Sequence, residues 1–132
     1  MEKALIELDP AHQAAFKENA NHLVHKLKSY DKAIKKALKP AYGSAILVSH
    51  PAFAYFCKDY DLEQISVEAE GKEPHPRHIN KILKRLERQH IAHVFTQEQY
   101  NNKGTLVISD MLGVEPTNIN PYSEDYFGTL RA

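Results

Sequence analysis

The chain has 132 residues, 42% hydrophobic and 26% charged, with seventeen basic residues balancing seventeen acidic ones. This is the composition of one ordinary globular domain with a core of its own, and its zero net charge argues against nucleic acid or another polyanion as partner. Cys57 is the sole cysteine, which excludes an internal disulfide and a thiolate metal cluster; no apolar stretch nears the ~18 residues of a membrane span, and "MEKALIELDP" reads as carrying no export signal.

In chain order, Asp9 as N-cap and Pro10 at the first helical position open a helix. Phe16, Ala20, Leu23, Leu27, Tyr30, Ile34 and Leu38 recur at spacings of three and four, one apolar stripe that runs until Pro40. A helix over 10–39 is roughly 45 Å long at ~1.5 Å per residue, whereas a globule of this size has a radius of gyration of only ~14 Å. The helix outruns its domain, so something else is expected to cover its first half.

"SAILVS" (44–49) reads as a strand buried on both faces. A short helix follows over 51–60, then a strand over 63–69 and the polar connector "EGKEPHP". Pro76 to Gln89 is a helix with Ile79, Ile82, Leu83 and Leu86 inward and Lys81, Lys84, Arg85 and Arg88 outward. "IAHVFTQ" (91–97) is a third strand and "TLVIS" (105–109) a fourth, with a closing helix over 122–131. The fold class is α/β: a layered sheet of about four mostly parallel strands with flanking helices, preceded by one long N-terminal helix. It divides into the long helix (1–41) and the α/β part (42–132). "EQYNNKG" is too short for a parallel crossover, so the last strand is read as antiparallel to the third or as paired elsewhere, for instance in another chain.

In an open α/β sheet, ligands bind beyond the carboxyl ends of the strands. His50 directly follows the first strand, and Pro51 begins the next segment. Neutral imidazole suits zinc, copper, nickel or iron. A histidine that hydrogen-bonds a helix end is the other reading of this position.

The stretch "VSHPAFAYFCKDYDLEQISVEAEGKEPHPRHINKILKRLERQHIAHVFTQEQYNNK" resembles the C-terminal lobe of the cluster A-I solute-binding proteins, the zinc and manganese subunits of bacterial ABC importers. The family pattern is a His, two small residues, an aromatic, "YF", "YGL", a strand, "EPEGKEPS" and a helix before "VFVEPQF". Here it reads His50, Pro51 and Ala52, Phe53, Tyr55 and Phe56, Tyr60–Asp61–Leu62, "VEAEGKEP" (67–74) and "HVFTQEQY" (93–100). The long helix is similar to the family's backbone helix, which joins two lobes.

The resemblance implies His50 as a metal ligand, and a histidine there favours Zn2+ over Mn2+, whose branch has a carboxylate. It implies Asp110, in "ISDMLG", as the last-strand aspartate that supplies a further ligand in some members. A hairpin over 91–109 would put Asp110 at the opposite edge from His50. Glu68 and Glu70, beyond the second strand, are candidates for orienting His50; solvated loop charges are the alternative. Two further histidine ligands belong to the N-terminal lobe, which is absent from this chain. The resemblance further implies an ABC permease as partner and a periplasmic or extracytoplasmic location.

The pairs His22/His25, His75/His78 and His90/His93 have chelating i,i+3 spacing but read chiefly as surface or structural histidines. There is no G-x-G-x-x-G, P-loop, G-x-S-x-G or H-E-x-x-H, so no enzyme is expected. The expected function is a lobe that binds metal, chiefly zinc, for an ABC importer. The alternative is a diverged lobe that acts as a dimerising interaction module, its partner a second copy of itself.

Overall fold

A computed structural model describes residues 1–68 and 74–130. The described chain forms two units, Met1–Pro40 and Ala41–Ala132. The first begins earlier than the cap signals suggest: α1 (Glu2–Leu8) precedes Asp9, and a 3-10 turn at Pro10–His12 leads into α2 (Gln13–Leu38). The Asp9 carboxylate does not cap a backbone N–H. It bonds the His12 ring at 2.7 Å instead. Along α2 no residue is fully buried, and Leu23 and Val24 are about half exposed, at 51% and 47%.

The second unit is a four-stranded sheet in the order β2-β1-β3-β4, built from β1 (Ala45–Val48), β2 (Glu63–Ser66), β3 (Ile91–Gln97) and β4 (Thr117–Ile119). Every pairing is parallel. The crossovers are α3 (Ala54–Asp59), α4 (Pro76–Leu86) and α5 (Lys103–Leu112), and α6 (Tyr126–Thr129) closes the described chain.

Right-handed crossovers put α3 on one face and α4 with α5 on the other, because the chain steps from β1 to β2 in one direction and then back past β1 to β3. The core follows that division. Ala45 and Leu47 pack with Ile65, Val67, Ile82, Leu86, Val94 and Ile108. Ile46 and Val48, pointing the other way, pack with Cys57, Phe53, Leu62 and Phe95. Asp61, where the family pattern has glycine, takes a left-handed φ of 51° in the turn into β2.

The fourth strand expected at 105–109 is a helix. Thr105, Ile108 and Ser109 are buried while Leu106, Val107 and Met111 are exposed, the period of a helix packed on one side. Gly113 ends it at a left-handed φ of 66°, where only glycine is free of strain. Ile108 in the core outweighs the strand preference of a Thr-Leu-Val-Ile run. With α5 as crossover, residues 98–116 are long enough for a parallel connection. The last strand is therefore β4, parallel to β3 within the same chain, and not antiparallel or swapped.

Gly104 lets α5 approach its neighbours closely, since a Cβ there would lie 2.5 Å from Pro74 Cγ and 2.9 Å from Val67 Cγ1. Neither a proline ring nor a buried valine yields cheaply. Gly104→Ala is expected to cost about 1–3 kcal/mol despite alanine's better helix propensity, read as a Tm lower by several degrees. An unchanged Tm would show that Pro74 yields freely.

Burial removes Cys57 from water and pushes its thiol up to about 11. At pH 8 roughly one part in a thousand is then thiolate, so disulfide-exchange reagents should label the folded protein about 100-fold more slowly than the denatured one. Because the folded pKa is the higher one, this group's contribution to stability is present below 9.0 and lost as pH rises towards about 11. Equal labelling rates would place the thiol in water.

Candidate functional site

The strand order reverses at β1, so the carboxyl ends of β1 and β3 flank the crevice where open α/β sheets bind ligands. His50 emerges there, one residue after Ser49. Its backbone N–H donates to Gln97 Oε1 at 2.6 Å, which ties the end of β1 to the last residue of β3. Ser49, also buried, has its hydroxyl 2.9 Å from Thr105 Oγ1 and donates to Asn102 Oδ1. Asn102 in turn bonds the Gln97 backbone twice, accepting from its N–H and donating to its carbonyl, both at 3.0 Å.

The ladder between β1 and β2 continues past the strand ends. Val67 N–H donates to Val48 O at 2.9 Å and Glu68 N–H to Ser49 O at 3.0 Å. That extension carries the Glu68 carboxylate to the imidazole, 2.9 Å from Oε2 to His50 Nδ1. A carboxylate accepts, so Nδ1 carries a proton, and in the neutral ring the lone pair is left on Nε2. Nε2 makes no hydrogen bond among the described residues.

Tyr100 covers one face of the ring, stacked at 4.0 Å between centroids and 8° between planes. Its hydroxyl meets that of Tyr122 at 2.8 Å. That hydrogen bond, with lesser contributions from burial and from the Tyr122 and Glu68 charges, holds the Tyr100 phenol above its ordinary pKa. A cleft of about 580 Å³ opens beside these groups, floored by Val67, Pro74, Ile79 and Val107.

An imidazole fixed by a carboxylate on one nitrogen and open on the other is a ligand arrangement for zinc and its neighbours. Among the described residues no group of three or more His, Cys, Asp or Glu could hold a metal ion, so His50 offers one ligand and not a cage.

Of the residues singled out in the sequence, Glu68 is brought to His50. Glu70 lies outside the described residues. Asp110 sits exposed on the last turn of α5. In a parallel crossover α5 carries the chain back from the carboxyl rim, so Asp110 lies towards the amino edge, away from His50. Asp110 is thus not a last-strand residue. The residue after the true last strand is Asn120, whose side chain donates to Glu98 Oε2 at 2.8 Å and accepts from Gln99 Nε2 at 2.7 Å.

The histidine pairs are dispersed. His22 and His25 are exposed on α2, and His75 stands at the N-cap of α4 with no side-chain cap bond. His93 Nε2 lies 2.7 Å from Thr117 Oγ1. The side chains that sequence reasoning passed over are Gln97, Tyr100, Asn102 and Tyr122. Gln97 and Tyr100 lie inside the motif "HVFTQEQY", whereas Asn102 was hidden by reading its helix as a strand.

A protein of Chlamydia trachomatis serovar D is 27% identical over 131 residues, 98% of this chain and 48% of that protein. The zinc-binding protein AdcA of Streptococcus pyogenes serotype M3 is 28% identical over 128 residues, 88% of this chain and 25% of that protein. The crystal structure of ZnuA superposes with a TM-score of 0.91 at 27% identity, covering 98% of this chain and 51% of that one. A zinc-bound deletion mutant of ZnuA gives 0.86 at the same 27% identity, with 98% and 50% covered. The chain therefore spans about half the length of the chlamydial protein and of ZnuA, and less of AdcA. The family model of zinc-uptake complex component A, periplasmic, matches residues 1–132 in full, and the chain belongs to that family.

Proposed function

We propose that this chain is a metal-binding lobe of a solute-binding protein that hands zinc to an ABC importer, with His50 Nε2 as one ligand. The observation that carries this reading is the contact between Glu68 Oε2 and His50 Nδ1 at the strand-order reversal. The carboxylate orients the ring, selects the Nδ1–H tautomer and raises the basicity of the ligating nitrogen. Tyr100 shields one ring face, and the Nε2 lone pair lies in the ring plane, clear of that stack. Imidazole favours zinc over manganese, which prefers carboxylate and carbonyl oxygen.

Zinc takes four ligands in a tetrahedron, more than the described residues of this chain supply. The remaining ligands would come from the part of the relatives' length that this chain does not span, in keeping with the two N-terminal-lobe histidines that the resemblance implies. The process is capture and release, not catalysis: the ion is cargo, and a membrane permease takes it. The family description supports a periplasmic or extracytoplasmic location, and no described helix is long and apolar enough to cross a membrane.

Calorimetric zinc titration of the metal-free chain, beside His50→Ala, tests the assignment. Weak saturable binding that disappears in the variant is the expected result. Binding of equal strength in both would remove His50 from the ligand set. Glu68→Gln keeps an acceptor but loses the charge, and its zinc affinity should fall about 10–100-fold. An affinity equal to wild type would show that Glu68 does not act through the imidazole.

A further inference from the structure

We infer that Asn102 is a positioning residue for His50, the hub through which β1, β3 and α5 hold the imidazole in its ligating pose; this rests on the ligand role proposed for His50. Asn102 stands at the N-cap of α5, the position where asparagine ordinarily bonds the helix's own backbone, yet it makes no side-chain cap bond. The amide oxygen and one amide N–H are engaged elsewhere. Its oxygen accepts from Ser49 Oγ and Gln97 N–H, and its nitrogen donates to the Gln97 carbonyl.

Both residues so held act on His50. Ser49 is its chain neighbour, further fixed by the Thr105 hydroxyl at 2.9 Å. Gln97 presents Oε1 to the His50 N–H at 2.6 Å. The orientation of the Gln97 amide is set by that bond, since an N–H needs an acceptor facing it. Its own Nε2 is then left buried with no partner among the described residues, an arrangement that leaves its desolvation uncompensated. A glutamine serving packing alone would be better replaced by an apolar side chain. The polar set therefore serves the backbone of His50, from which the Cβ direction and the reach of Nδ1 to Glu68 follow.

Supporting groups of this kind locate a ligand to fractions of an ångström, and their loss typically costs 10–100-fold in metal affinity. Glu68 fixes the ring by one nitrogen. The Asn102 hub fixes the backbone that carries the ring. The two controls meet at Ser49, whose carbonyl accepts from the Glu68 N–H while its hydroxyl donates to Asn102 Oδ1.

The test compares wild type, Asn102→Ala and Asn102→Asp by long-range 1H–15N correlation of the imidazoles in the metal-free chain, followed by zinc titration and thermal melting of each. In wild type, His50 should show the Nδ1–H tautomer. In Asn102→Ala its signals should move towards the tautomer average while those of His93, held by Thr117, stay in place, and zinc affinity should fall about tenfold. Asn102→Asp keeps the oxygen that serves Ser49 and Gln97 N–H, and should recover most of the wild-type His50 spectrum. If the alanine variant does not fold, Asn102→Ser decides the question, since serine supplies an ordinary helix cap but no amide to bridge Ser49 and Gln97: the same His50 shift is expected, and an unchanged His50 spectrum would overturn the inference. A lower Tm with the His50 signals and zinc affinity unchanged would overturn the inference and leave Asn102 a merely stabilising residue. If wild type shows no zinc binding that depends on His50, the ligand reading fails, while the imidazole spectra still decide whether Asn102 sets the pose.

Discussion

A strand buried on both faces organises the α/β unit. Ala45, Leu47 and Val48 of β1 are wholly inaccessible and Ile46 nearly so. Such a strand needs a neighbour on each edge and a helical layer on each side, because its backbone groups must be paired and its side chains covered. β2 and β3 supply the edges, α3 one layer, and α4 with α5 the other. Burying Leu47 alone contributes about 1.5–3 kcal/mol. The same constraint makes the end of β1 the place where the chain leaves the core between two oppositely directed crossovers.

His50 stands at that exit, and the surrounding chemistry follows from the strand's being central. The parallel ladder to β2 overruns by two residues and delivers Glu68. On the other side, the end of β3 delivers Gln97, and the start of α5 delivers Asn102. Tyr100, in the loop between them, closes over the ring. An edge strand has one neighbour and could collect only half of these groups. The site is polar and half-buried, with the His50 and Glu68 side chains 31% and 21% exposed, beside a cleft lined in part by Val67, Ile79 and Val107.

The unit Met1–Pro40 obeys a different rule. Its long helix has apolar residues at helical spacing, yet none is fully buried, and Leu23, Val24 and Leu27 stay exposed. The spacing that marks a core-facing stripe is present in α2 without a matching degree of burial among the described residues. The chain also spans only about half the length of ZnuA.

Much was legible from residue order because it depended on local pattern. The apolar run at 45–48, the 3.6-residue period of α4 and the β-branched run at 91–97 each name their own element, and His50 at a strand end names a rim. The likeness of "SHPAFAYF" and "VEAEGKEP" to one family was equally visible. Misplacing the fourth strand arose where local preference and tertiary packing disagree. Thr105 to Ser109 favour a strand by side-chain type, but burying Thr105, Ile108 and Ser109 against the sheet requires a helix. That single error hid Asn102 as the start of a helix and put Asp110 in a strand that does not exist. Glu68 was already a candidate from its place beyond the second strand, but its contact with His50, the tyrosine that covers the ring and the amide that holds the backbone were decided by the tertiary structure. Those contacts join residues 18 to 53 positions apart, and only the register and direction of strands paired across the sheet bring such distant side chains within hydrogen-bond reach.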